Sequence, residues 1–187
     1  MGPPLTAGFF DRAADAVARE LLGAVIRHES PDGVTSGRII ETEAYLGPHD
    51  PASHSAAGRT ARTWHMFGPP GTAYVYLSYG LHWCVNAVTR EDGYGAAVLI
   101  RAVSPLEGVD LMRTRRPKAR RDRDLANGPG KVCAAMAITR EQDGAALTGG
   151  SRLTFHAGDA VPDSRVVVGP RVGITKAVDW PLRFVVR

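Results

Sequence analysis

The segment from residue 37 to residue 54, GRIIETEAYLGPHDPASH, constrains the fold more than any other part of the chain. Its first half has the character of a β-strand, and Glu41, Glu43 and Tyr45 follow one another at a spacing of two. Because alternate side chains of a strand point to the same side, one face presents two carboxylates and an aromatic ring. Two acids alone would most simply mark a solvated edge face.

The residues after this strand favour a functional site instead. Gly47-Pro48 is a turn signal, and the polar loop that follows carries His49, Asp50 and His54. Titratable groups therefore collect where a strand ends, which is a common place for binding and catalytic residues. The loop supplies no fourth ligand and no supporting metal motif, so the sequence predicts no metal site here.

Length and composition predict one compact domain over residues 1–187, since the chain is 44% hydrophobic. No window approaches the roughly 18 apolar residues of a membrane span, and the first residues lack a signal-peptide pattern. We therefore expect an intracellular protein without membrane contact. Cys84 and Cys133 lack C-x-x-C spacing and should be reduced core thiols. Walker A and HExxH motifs are absent, and GYGAAV lacks the third glycine of a dinucleotide fingerprint, so we expect no cofactor.

Positive charge is concentrated between residues 113 and 123, where RTRRPKARRDR holds seven basic side chains and one acid. The whole chain has a net charge of only +4, so the rest of it is slightly acidic. Such a run can be a solvated loop, and the general preference for arginine over lysine does not explain the clustering. A local basic segment also suits a polyanion, because guanidinium groups pair well with phosphate oxygens. Both interpretations stay open.

The N-terminal third predicts one helix and two strands. The helix covers about 12–22, with Asp11 as its N-cap and Gly23 at its end. A strand near 24–29 follows, and a turn leads into the long strand near 34–46.

The centre of the chain, from Thr72 to Val103, is rich in β-formers and predicts a hairpin with Tyr79 near its tip. Ser104-Pro105-Leu106-Glu107 has a capping-box pattern, which predicts a helix over about 105–115. A second helix should run from Gly128 to about Ile138, and the last 35 or so residues should be β-rich.

Five separated motifs now identify a family. They are ETEAYLGP with the following His54, MFGPPGTAYVYLSYGLHWCVN, VLIRAVSPLEG, NGPGK and PLRF. In this order they resemble the alkyladenine (3-methyladenine) DNA glycosylase family over most of the chain. The resemblance implies an α+β fold, with a curved, mostly antiparallel sheet, flanking helices and a protruding hairpin that inserts into DNA.

The resemblance also implies roles for individual residues. Glu43 would activate water for attack on the sugar C1′ of a flipped purine nucleotide, and Arg101 would help to hold that water. Tyr45 and Tyr76 would sandwich the base. The remaining implied contacts are His54 on the extruded nucleotide, Asn86 against the exocyclic amino group of guanine, and Tyr79 as the side chain that fills the gap in the duplex.

Outside the matched motifs, charge alone predicts backbone contacts from the basic segment, which would involve Arg113, Arg115, Arg116, Lys118, Arg120 and Arg121. The resulting hypothesis is a monomeric, monofunctional glycosylase that acts on double-stranded DNA with damaged purines. A non-catalytic lesion-binding protein is the alternative, although binding alone needs neither Glu43 nor Arg101. A small-nucleoside hydrolase would leave Tyr79 and the basic run without a purpose.

Overall fold

One sheet of eight antiparallel strands organises the chain, whose computed structural model describes residues 1–187. Its strands are β1 (Val25–Ser30), β2 (Gly33–Tyr45), β3 (Ala73–Ser78), β4 (His82–Thr89), β5 (Ala96–Glu107), β6 (Leu153–His156), β7 (Val166–Gly169) and β8 (Arg183–Val186). The main order is β3-β4-β5-β2-β1-β6, and β8 joins β2 to β7. Four short helices accompany the sheet, which confirms the predicted α+β class.

The helices are shorter than the sequence predicts. They are α1 (Ala7–Phe10), α2 (Ala14–Glu20), α3 (Val109–Arg115) and α4 (Pro129–Met136). The prediction of one helix over 12–22 was wrong at its start, because Asp11 ends α1 and Ala13 is the N-cap of α2. The helix predicted from Gly128 is confirmed as α4. At eight residues it is the longest helix, far below the roughly 20 residues of a membrane span.

The predicted capping box at Ser104-Pro105-Leu106-Glu107 does not form. These residues continue β5, where Ser104 and Pro105 pair with β2. Gly108, in the left-handed region at φ 69°, then starts α3. Pairing with the long β2 strand outweighs the local helix signal, since ladder hydrogen bonds extend almost to the end of both strands.

The C-terminal region is less regular than predicted. β6, β7 and β8 have four residues each, and the chain between β7 and β8 has no regular structure. This irregular connection returns to the sheet beside β2, where it forms part of the site described below.

The two faces of the sheet differ in what covers them. Helices α2 and α4 pack on one face, where 31 buried hydrophobic residues form the main core. The opposite face carries a separate cluster of five buried residues, with Tyr45 and Tyr76 at its margin. Both cysteines are buried, as predicted. We call the first the helix face and the second the pocket face.

The predicted hairpin is formed by β3 and β4, which pair in register from Ala73 opposite Ala87 to Ser78 opposite His82. Tyr79 and Gly80 occupy its turn with φ of 50° and 69°, and the Leu81 N–H donates to the Ser78 carbonyl. These left-handed values match a type I′ turn, which suits the twist of a hairpin. The Tyr79 side chain is 86% exposed at the tip.

Candidate active site

On the pocket face, one row of paired residues crosses five strands. Adjacent strands place side chains of paired residues on the same face, so the row is continuous. It runs from β3 to β8 through Tyr74, Asn86, Leu99, Glu43 and Arg183. The sheet register thus brings together side chains that are far apart in the sequence.

Glu43 is the centre of this face, and its side chain is completely buried. Its Oε1 accepts a hydrogen bond from the Val172 N–H at 2.7 Å and lies 3.2 Å from Arg101 Nη1. Its Oε2 accepts a hydrogen bond from the Tyr45 hydroxyl at 3.0 Å. Burial raises the pKa of the Glu43 carboxyl, and the charge of Arg101 opposes that rise.

Arg101 is held by both acids of the strand. Its Nε donates to Glu41 Oε1 at 2.9 Å, and Arg183 Nε donates to the same oxygen at 2.6 Å. Glu41 is therefore a supporting acid that joins two arginines, rather than a member of a solvated edge face. Arg183 was missed by sequence reasoning, since only its place in the PLRF motif drew attention to it.

Three aromatic rings lie together on the β3 side of Glu43. His54 Nδ1 is 2.9 Å from the Tyr74 hydroxyl, and the His54 ring meets Tyr76 edge to face with centroids 4.6 Å apart. Tyr74 and Tyr76 are stacked at 5.4 Å. Burial lowers the pKa of His54, which favours the neutral imidazole. Tyr74 was missed, although its spacing of two from Tyr76 was a usable signal.

Tyr45 contacts a second ion pair, formed by Asp50 and Arg171. The Arg171 guanidinium carbon lies 4.7 Å from the centroid of the Tyr45 ring. Its two Nη atoms donate to the Asp50 carboxylate at 2.5 Å and 2.8 Å, and both side chains are fully buried. Burial would raise the pKa of Asp50, but the hydrogen bonds from Arg171, Leu46 and Ala52 lower it overall. Asp50 is thus an anchor for Arg171.

Other predicted residues lie around this centre. Asn86 is buried, and its amide donates to the Tyr74 carbonyl at 3.0 Å, the local backbone bond that an isolated asparagine can make. His49 only approaches the Tyr94 hydroxyl at 3.5 Å. No three His, Cys, Asp or Glu side chains of the chain are arranged as metal ligands.

The basic segment lies apart from Glu43 and is partly neutralised. Arg113 pairs with Asp110 and Asp122, and Arg121 pairs with Asp124. Arg115 donates to Ser30, Asp32 and the Ala135 carbonyl, while Arg116 donates to the Leu125 carbonyl. Lys118 and Arg120 are exposed and form no ion pair with the protein.

This geometry can support the hydrolysis of a bond that joins a flat aromatic group to the rest of a substrate. A buried carboxylate beside an arginine can orient water and stabilise developing positive charge, and the tyrosines and His54 offer flat surfaces for stacking. An exposed aromatic residue at the tip of a hairpin that also carries such rings is typical of an enzyme that extrudes a nucleotide.

The comparisons with known proteins agree with this geometry. The family model of methylpurine-DNA glycosylase matches residues 8–187. A protein of Methanocella arvoryzae named "Putative 3-methyladenine DNA glycosylase" is 48% identical over 97% of this chain and 90% of its own length. Proteins of the same name from Burkholderia lata (46%; 98% of this chain, 87% of the relative) and Nitrosospira multiformis (51%; 94% and 86%) are also similar.

The chain belongs to the methylpurine-DNA glycosylase family. This membership confirms the resemblance found in the sequence, and with it the prediction of a DNA glycosylase, a hydrolase of the N-glycosidic bond that acts in base excision repair.

Proposed function

We propose that this glycosylase binds double-stranded DNA, extrudes an alkylated or deaminated purine nucleotide and hydrolyses its N-glycosidic bond, leaving an abasic site. The observation that carries this proposal is the buried Glu43 carboxylate, held by Arg101, Tyr45 and the Val172 N–H beside a group of aromatic rings. Damaged purines are the proposed substrates, because alkylation of a ring nitrogen gives the purine a positive charge, which makes it a better leaving group and a better partner for tyrosine rings.

Glu43 is the proposed catalytic base. Cleavage of the glycosidic bond builds positive charge on the sugar, and a carboxylate can stabilise that charge while accepting a proton from the attacking water. Oε1 has two partners, Val172 and Arg101, whereas Oε2 has only the Tyr45 hydroxyl, so Oε2 is the better acceptor for water. Burial makes the carboxylate a stronger base, and Arg101 favours its ionised form.

Tyr45, Tyr76 and His54 form the proposed base pocket. One face of Tyr45 is covered by Arg171, so an extruded purine would stack on the other face. Positively charged purines are attracted to tyrosine rings, since the face of each ring is electron-rich. Asn86 lies in the same row as Glu43, and there it would crowd the exocyclic amino group of guanine.

Tyr79 is the proposed wedge that fills the gap left in the duplex. Its exposure and its place at the tip of the β3–β4 hairpin suit insertion through the minor groove. Because this hairpin must stay free to reach DNA, we propose that the chain acts as a monomer. The single eight-stranded sheet supports the proposal that the chain is one domain. An intracellular location follows from a DNA substrate.

The basic segment is the proposed contact to the DNA backbone, and the unpaired Lys118 and Arg120 are its strongest candidates. Residues 124–128 connect the segment to α4, where Gly130 lies close to His82 at the start of β4. This proximity of α4 to the hairpin supports a role for the segment in DNA binding. The paired residues Arg113, Arg115, Arg116 and Arg121 would have to exchange protein partners for phosphates.

A monofunctional mechanism fits the positions of the three lysines. Lys118, Lys131 and Lys176 are all exposed, and none contacts Glu43 or the aromatic rings. A lyase would need an amine nucleophile at the sugar. Covalent trapping of the protein on damaged DNA by borohydride would contradict this part of the proposal.

The test is base release from duplex oligonucleotides that carry 3-methyladenine, 7-methylguanine, hypoxanthine or ethenoadenine. We expect the wild type to release at least one of these bases and Glu43→Gln to lose at least 10²-fold in single-turnover rate. Equal rates would mean that water is activated elsewhere. Binding of lesions without release by either protein would favour the non-catalytic lesion-binding alternative.

A further inference from the structure

A buried ion pair next to the site has no role in the mechanism described so far. Arg171 and Asp50 are separated by 121 residues in the sequence, and both side chains are shielded from solvent. Replacing a buried ion pair with well-packed apolar residues is often neutral for stability, so stability alone is a weak reason for this pair. The Arg171 Nε–H is buried without a hydrogen-bond partner, which further weakens a purely stabilising role.

The loop that carries Arg171 depends on this side chain for its position. From residue 170 to residue 176, no backbone group forms a hydrogen bond with another backbone group. Arg171 instead anchors the loop to the Asp50 carboxylate and to the Ala44 carbonyl of β2 at 3.0 Å. The next residue is Val172, whose N–H donates to Glu43.

The same ion pair reaches two further parts of the site. The Arg171 guanidinium covers one face of Tyr45, whose hydroxyl donates to Glu43 Oε2. The Asp50 carboxylate accepts hydrogen bonds from the N–H groups of Leu46 and Ala52, and these bonds stabilise the loop that leads to His54.

We propose that the Asp50–Arg171 ion pair is a positioning device for the glycosylase reaction, which sets Tyr45 and the Val172 N–H against the Glu43 carboxylate. The proposal rests on the proposed function, in which Glu43 is the catalytic base. Arg171 and Asp50 are positioning residues, since neither would touch the substrate. Their loss should slow the chemical step more than it weakens DNA binding.

A double variant separates positioning from stability. Asp50→Leu with Arg171→Met removes both charges, keeps similar volumes and leaves an apolar side chain over Tyr45, so the chain should fold. We expect its single-turnover rate of base release to fall about 10²-fold, with DNA affinity within about threefold of the wild type. The control is Arg12→Met with Glu20→Leu, because Arg12 and Glu20 also form two parallel hydrogen bonds but lie on the surface.

A pH profile provides a readout that a general structural role would not move. The charged or titratable groups that face Glu43 are Arg101 from β5, Glu41 and Tyr45 from β2, and Cys84 from β4, with Arg171 behind Tyr45 and Arg183 behind Glu41. The Val172 N–H lowers the pKa of Glu43. Its misplacement should therefore move the acidic limb of the rate profile to higher pH in the double variant, and the surface control should not move it.

The outcomes are distinct. A folded double variant with the wild-type rate and an unshifted acidic limb would overturn the proposal, provided that the wild type releases base and Glu43→Gln does not. Absence of release by the wild type would instead overturn the proposed function. If the double variant does not fold, Arg171→Lys replaces it, because lysine keeps the charge but cannot supply the fork and the stacking surface. A slow Arg171→Lys with wild-type DNA affinity supports positioning, and a wild-type rate overturns it.

Discussion

The two faces of the sheet show how one strand serves both stability and chemistry. On β2, Thr42 and Ala44 point to the helix face, while Glu43 and Tyr45 point to the pocket face. These four residues are consecutive in the sequence. The helix face holds the 31-residue core, whereas the hydrophobic cluster of the pocket face has only five buried residues and lies beside several buried charges.

This difference separates what holds the fold from what acts on the substrate. Apolar packing on the helix face is non-directional, so its contribution grows with the buried area. The buried charges of the pocket face must each find a partner, and their net contribution to stability is small or unfavourable. We therefore expect changes on the helix face to alter stability and changes on the pocket face to alter rate.

The largest stability effect is expected on the helix face, at Ile100. It is fully buried and pairs with Thr42, between the pocket-face residues Leu99 and Arg101. Ile100→Ala should lower the free energy of unfolding by about 2–5 kcal/mol, because it leaves a cavity in the core. Urea unfolding measures this loss. The single-turnover rate per folded molecule should stay at the wild-type value, and a fall in that rate would break the separation of the faces.

On the pocket face, we expect the ionisation of Glu43 to control how the rate of base release depends on pH. Only the ionised Glu43 can accept a proton from water, so the rate should fall about tenfold for each pH unit below its pKa. Burial raises this pKa above its ordinary value of 4.5, which places the acidic limb above pH 4.5. Single-turnover rates between pH 4.5 and 8 measure the limb. A flat profile would contradict the assignment of Glu43.

The same pKa predicts the sign of a stability change. Since the pKa of Glu43 is higher in the folded than in the unfolded chain, its contribution is most favourable below pH 4.5 and is lost as pH rises through the folded pKa. Glu43→Gln cannot ionise and should be more stable than the wild type at neutral pH. The difference should shrink in acid, and urea midpoints at two pH values test this.

At the hairpin tip, we expect a substitution of Tyr79 to raise the free energy of unfolding slightly and to lower the rate of base release. Tyr79 has a left-handed backbone at φ 50°, which costs a residue with a bulky side chain about 1 kcal/mol. Tyr79→Asn should recover about that amount in unfolding experiments, since asparagine tolerates this conformation. Base release from duplex DNA should fall about tenfold, because the gap in the duplex is no longer filled. Unchanged release would remove the wedge role.

The smallest effect is expected at the basic segment, which adjoins the helix face through the packing of Ala119 against the main core. Lys118→Glu with Arg120→Glu should weaken duplex binding about threefold to tenfold and reduce its salt dependence. Arg113→Gln is the comparison: because Asp110 and Asp122 already pair with this guanidinium, its loss should weaken binding less than the double change does. Equal affinity in all three proteins would confine DNA to the hairpin and the pocket face.

Sequence reasoning succeeded where the signal was local. The alternation in β2, the Tyr79 turn and the start of α4 at Pro129 follow from neighbouring residues, and the structure contains each of them. The start of the helix predicted over about 105–115 was wrong, because pairing with β2 competes with the capping pattern and α3 begins only at Val109. A propensity cannot reveal that competition, since the partner strand lies about 70 residues earlier in the chain.

The sequence by itself determined the class of fold, the family and the face of β2 that carries Glu43, because a period of two and short motifs are properties of adjacent residues. Only the tertiary structure decided how Glu43 is surrounded. Its contact with Val172 spans 129 residues, and the Asp50–Arg171 pair spans 121. Such contacts depend on sheet register and on the path of an irregular loop, neither of which leaves a periodic trace in the sequence.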